Sequence, residues 1–135
     1  MTQENKDLLL KDLCARLPYG VKVKLGDNPN IFDLEYRIKF AVMYGDSDKL
    51  EDILDITNIK PYLFPLSSIT NEQEKELLKL GVSYGEYALH DDIRGLGIMV
   101  DEAYIFFEFC YKHHIDFLDL IEMGLAIDAT GKNIY

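Results

Sequence analysis

Over residues 32–44 every even position is apolar or aromatic: Phe32, Leu34, Tyr36, Ile38, Phe40, Val42 and Tyr44. The charged residues Asp33, Glu35, Arg37 and Lys39 stand between them. A period of two places successive side chains on opposite faces of a strand. Strands usually run about 5–6 residues, so the pattern predicts a long bent strand, or one interrupted by a bulge near 41–43. Val21, Val23 and Leu25 alternate with Lys22 and Lys24 in the same way. Between the two runs, Gly26-Asp27-Asn28-Pro29-Asn30 is a turn cluster that folds the chain back on itself. A further short strand is expected at 53–57, after a turn at 44–48. Residues 60–66, with Pro61 and Pro65, read as an extended crossover lying on the core.

Elsewhere the period is helical. Residues 2–16 predict an amphipathic helix, with Thr2 as N-cap, Glu4 and Asp7 near the positive end of its dipole, and Leu9, Leu10, Leu13 and Cys14 on one face. Pro18 and Gly20 end it. Thr70 and Gln73 form a capping-box pattern ahead of a helix over 71–80, which stops at Gly81. A helix over 101–113 is apolar on nearly all sides and is expected to be central. Asp116 is placed to cap a last short helix over 117–123, ended by Gly124. Residues 125–135 add a short strand or lie across the surface, and 82–99 show no regular pattern.

Strands grouped ahead of helices predict an α+β fold. Residues 1–66 supply a helix and a small antiparallel sheet of three to four strands, and 67–135 are mainly helical, in a single domain over 1–135. A length of 135 residues suits one core. The formal charge of −10 disfavours polyanions, nucleic acid and anionic membrane alike, because that affinity rests on Lys and Arg. No apolar run approaches the roughly 18 residues of a membrane span, and no secretory leader is apparent at the start. A cytoplasmic location is therefore expected. There Cys14 and Cys110, which lack CxxC spacing and sit in apolar stretches, read as two buried thiols, with a disulfide between them as the alternative.

Three segments carry a resemblance: Leu13-Cys14-Ala15-Arg16-Leu17-Pro18-Tyr19-Gly20-Val21, then Ile59-Lys60-Pro61-Tyr62-Leu63-Phe64-Pro65-Leu66-Ser67-Ser68-Ile69-Thr70, then His113-His114-Ile115-Asp116 through Gly124-Leu125-Ala126. Together they resemble a set of small uncharacterised proteins from phages and mobile elements of gut-dwelling anaerobic bacteria. Those proteins read LCARLPYGV early, KPYLxPxSSxT centrally, and HH followed by GLA near the end. Phe64 departs from the set, where a basic residue is common at that position. The resemblance implies a mobile-element context and brings no activity with it.

Candidate chemistry is sparse. His113, His114, Asp116 and Asp119 are a dense group of potential metal ligands. Adjacent histidines at a helix end diverge, however, and there is no HExxH. Imidazoles there suit the helix dipole, and Asp116 suits a cap. His90, Asp91 and Asp92 with Asp101 and Glu102 offer carboxylates for Mg²⁺ or acid–base work, and equally for solvated faces. Gly95-Leu96-Gly97 lacks the third glycine and the preceding strand of a dinucleotide site. Cys110 and His114 stand at i, i+4, but burial would raise the thiol pKa and disarm it. Neither an enzyme nor a bound cofactor or metal is expected.

Aromatics are the more telling feature, with nine tyrosines, seven phenylalanines and no tryptophan. Tyr62 and Phe64 alternate between prolines, and Tyr84 and Tyr87 flank Gly85. These four are the candidate protein interface, because a tyrosine buries a large area while keeping a polar tip. The competing reading makes them walls of the core. The function expected is that of a non-catalytic accessory protein of a phage or mobile element, which acts by binding an unidentified protein partner. The alternative is a nucleic-acid-associated regulator using Lys22, Lys24, Arg37 and Lys39 on the outer sheet face, a cluster diluted by Asp33 and Glu35.

Overall fold

The Thr2 hydroxyl accepts a hydrogen bond from Asn5 N–H and starts helix α1, Gln3–Arg16. The computed structural model describes residues 1–44, 55–81 and 100–135. The buried side of α1 is Leu9, Asp12, Leu13 and Arg16, so its inward stripe holds two apolar and two charged residues. Cys14 is exposed, against the expectation of a buried thiol; Cys110 is buried. The helix face is rotated by the need to aim Asp12 and Arg16 inward. A short 3₁₀ turn, Leu17–Tyr19, carries Pro18 where a missing N–H does no harm. Gly20, at φ 74°, then turns the chain into strand β1, Lys22–Leu25.

The expected long strand over 32–44 is mostly a helix. Only Phe32–Asp33 pairs as strand β2, antiparallel to β1, and Leu34–Tyr44 forms α2. The reason lies in the alternation itself. Two residues along a helix turn by about 200°, so alternating positions fall into two i, i+4 series on opposite faces. Leu34 and Ile38 form the inner series and pack into the cluster around Leu9, Leu13, Val21, Val23 and Ile59. Tyr36 and Phe40 form the outer series, stacked with centroids 6.5 Å apart. Asp33 caps the helix by accepting from Tyr36 N–H, and Glu35 pairs with Lys39 at 3.0 Å across one turn.

Strand β3, Ile59–Pro65, occupies the stretch expected to be a crossover and is the centre of the sheet. It pairs antiparallel with β1, Val23 opposite Pro61 and Leu25 opposite Ile59. Gly26 N–H donates to Asn58 O, which sets the hydrogen-bonded rungs at every second pair. Pro61 therefore falls on a non-bonded rung, where its missing N–H costs β1 nothing. Of residues 53–57, expected as strand, Asp55 caps a 3₁₀ turn over Ile56–Asn58 that takes in 56 and 57, while 53 and 54 lie outside the described residues.

Two short strands from the C-terminal half complete the sheet: β4, Ile115–Asp116, and β5, Ile127–Asp128. Both run parallel to β3, so the sheet is mixed and not the purely antiparallel one expected. Phe64 N–H donates to His114 O and Leu63 O accepts from Ala129 N–H, so successive residues of β3 bond to opposite sides.

Helix α3, Asn71–Lys79, starts on the expected capping box, with Thr70 and Gln73 bonded in both directions. Helix α4, Val100–Lys112, buries Phe106, Phe109 and Cys110, while Tyr104 faces solvent. The helix expected over 117–123 is absent. Asp119 sits at φ 58°, which interrupts a helical run, and the segment is held as turns. Their N–H groups converge on Asp116, which accepts from Leu118, Leu120 and Ile121. The result is one α+β fold: four helices and a five-stranded mixed sheet among the described residues.

Candidate functional site

Of the sequence-derived aromatic set, the two described members, Tyr62 and Phe64, both lie on β3. Tyr62 is buried on β3, and Phe64, half-buried, packs against Tyr135 with centroids 5.9 Å apart. Tyr84 and Tyr87 lie outside the described residues, as do His90, Asp91, Asp92 and the 95–97 glycines.

The basic set is divided between two elements. Lys22 and Lys24 are on β1, whereas Arg37 and Lys39 are on α2 and not on a sheet face. Lys22 is 3.2 Å from Asp33, and Lys39 is neutralised by Glu35. Arg37 lies over the Phe40 ring at 5.9 Å. The register instead sets Lys60 opposite Lys24, a neighbour visible only once β3 is known to be a strand.

The histidine pair diverges. His113 packs on Phe109 with centroids 4.4 Å apart and lies 3.2 Å from Glu76, without the alignment of a hydrogen bond. His114, at φ 58°, turns the other way and stacks on Tyr135 at 3.8 Å and 9°. Burial, with help from Arg16, His113 and Lys22, pushes its pKa down to about 4, so it is neutral at pH 7. It therefore adds no cation at the α4 C-terminus. Among the described residues no group of three His, Cys, Asp or Glu converges as metal ligands. Cys110 lies against the Arg16 network, and burial drives its thiol far above the ordinary value.

At the C-terminal end of α4 that cation is supplied by Arg16, which sequence reading passes over. Its Nε donates to Asp12 Oδ2 at 2.8 Å, Nη1 to Cys110 O at 3.1 Å and Nη2 to Ile115 O at 2.7 Å. The guanidinium also sits over the Tyr111 ring at 5.3 Å. Both side chains are fully buried. Burial holds Asp12 above its usual pKa, against the opposing pull of Arg16. The i, i+4 spacing of an aspartate and an arginine was the available signal.

Two surface features are left for recognition. One is the outer face of α2, where Tyr36 is 69% exposed, Phe40 44% and Met43 73%. The other is a groove of about 370 Å³ between α1, α2 and the 56–58 turn. Its floor includes Leu13, Leu34, Ile38 and Ile59, with Lys6 and Asp55 among its polar lining residues. Cys14 also lines it, so the exposed thiol opens onto apolar surface. The two features share α2: one i, i+4 series faces the groove and the other faces outward.

No family model, no curated protein and no solved structure matches this chain. Among the described residues no helix is long and apolar enough to cross a membrane.

Proposed function

We propose that this chain is a non-catalytic binding module, an accessory protein of a phage or mobile element that engages another protein through the outer face of α2. The observation that supports this is the exposure of Tyr36, Phe40 and Met43 at i, i+4 and i+7 on one short helix. Such a stripe is how a helix presents anchors to a partner. Arg37 borders it and, with Lys39 paired to Glu35, leaves α2 one net positive charge on an acidic chain. An acidic, apolar partner surface is the complement. The Tyr62 and Phe64 positions contribute less, since Tyr62 is buried in the sheet.

Photo-crosslinking decides the matter. Benzoylphenylalanine at Tyr36 and at Met43 should each give the same discrete adduct in host lysate, competed away by unlabelled protein. The same label at exposed Glu72 on α3 should not. Equal adducts from all three positions, or none from α2, would remove the reading. Oligonucleotide binding at low salt that is lost on Lys24→Glu would favour the nucleic-acid alternative instead.

A further inference from the structure

The β1–β3 ladder contains a substitution of one kind of hydrogen bond for another. Counting in twos from the Gly26–Asn58 rung, the next bonded pairs are Lys24 with Lys60 and Lys22 with Tyr62. At the last of these the strands do not bond directly. The Tyr135 hydroxyl stands between them, accepting from Lys22 N–H at 2.9 Å and donating to Tyr62 O at 2.7 Å. Its ring lies flat on His114 at 3.8 Å and tilts against Phe64 at 5.9 Å.

We infer that this fork is a recognition slot for a phenol, filled in cis by Tyr135, and that the strap 130–135 can leave it so that a tyrosine of another polypeptide can enter. The inference is independent of the partner proposed for α2. The slot needs a group that accepts and donates at one atom, because an N–H and a C=O face each other across it. A hydroxyl meets both, whereas an amide or carboxylate meets one at a time. The walls suit an aromatic ring: a neutral imidazole offers a flat stack, and Phe64 offers a second ring tilted at 52°. All four walls belong to β1, β3 and the residue before β4, so the slot does not depend on the strap for its shape.

The strap is lightly attached. Ala129 N–H bonds to Leu63 O, but beyond it Thr130 N–H bonds to Asp128 and Lys132 N–H to Ala129, within the strap's own turn. Residues 130–133 are exposed, and Tyr135 itself is 42% exposed despite its anchored hydroxyl. Segments with few buried contacts open at low cost. Once Tyr135 leaves, Lys22 N–H and Tyr62 O face a gap, which favours capture of another hydroxyl.

The test uses the full chain carrying Tyr135→Ala, titrated with p-cresol and with toluene, which has the ring without the hydroxyl. The Lys22 amide resonance should shift saturably with p-cresol, with toluene weaker by about tenfold or more. Wild type should require about tenfold more p-cresol, since its own strap competes. Tyr135→Phe covers the case in which the alanine variant fails to fold. It keeps the ring but loses both bonds, so Lys22 amide exchange should accelerate, and added p-cresol should restore protection. Equal binding of p-cresol and toluene to Tyr135→Ala overturns the inference. So does unaltered Lys22 exchange in Tyr135→Phe, or a failure of p-cresol to slow it.

Discussion

An arginine with no solvent exposure has to be held by more than its counter-ion. Arg16 is bonded to Asp12 and to two main-chain carbonyls, Cys110 O at the end of α4 and Ile115 O in β4. Replacing a buried ion pair by apolar residues is often tolerated elsewhere. Here even the double replacement would strand two carbonyls, at about 1–3 kcal/mol each. Arg16→Ala is expected to lower unfolding free energy by about 3–5 kcal/mol, read from the urea midpoint. His114 gives a second residue-scale expectation. Its folded pKa of about 4 lies below the ordinary 6.5, so between these values the unfolded chain binds more protons than the folded one. Stability should therefore fall as pH drops from about 6.5 to about 4. Asp12, whose pKa is raised by burial, acts in the opposite sense. His114→Phe keeps a ring on Tyr135 and should flatten the decline between pH 7 and 5, measured as urea midpoints; an unchanged slope would count against this origin.

At the scale of elements, local signals differ in how much they determine. The Thr70–Gln73 box satisfies one donor in each direction, so Thr70→Ala should destabilise by about 0.5–2 kcal/mol, checked by denaturant unfolding. Helices α1 and α3 are legible in the sequence because caps and breakers bracket them, and α4 because it is apolar on nearly all sides. Helix α2 is not, because alternation alone serves a strand or a two-faced helix equally well, and what separates them is the pairing of Leu34 and Ile38 with α1 and β3. Strand β3 is hidden for the opposite reason: two prolines mask a strand whose pairing with β1 spares Pro61. The partners of β3 from residues 115–128 are too short to leave any periodic trace. Of the candidate interface, sequence composition indicates aromatics but points to Tyr62, Phe64, Tyr84 and Tyr87; Tyr36 and Phe40 are read only as apolar positions of the strand expected over 32–44.

Over the whole molecule, three buried clusters meet along β3. Leu9, Leu13, Val21 and Ile59 lie at one end, Leu63, Leu120 and Leu125 in the middle, and Leu77, Phe106 and Phe117 beyond. Arg16 ties the first of these regions to the last. Its carbonyl partners stand 94 and 99 residues further along the chain. The buried charge of α1 is therefore fully satisfied only when the chain as far as residue 115 is folded around it, so α1 and the C-terminal half are expected to open together, as one cooperative unit, in native-state amide exchange.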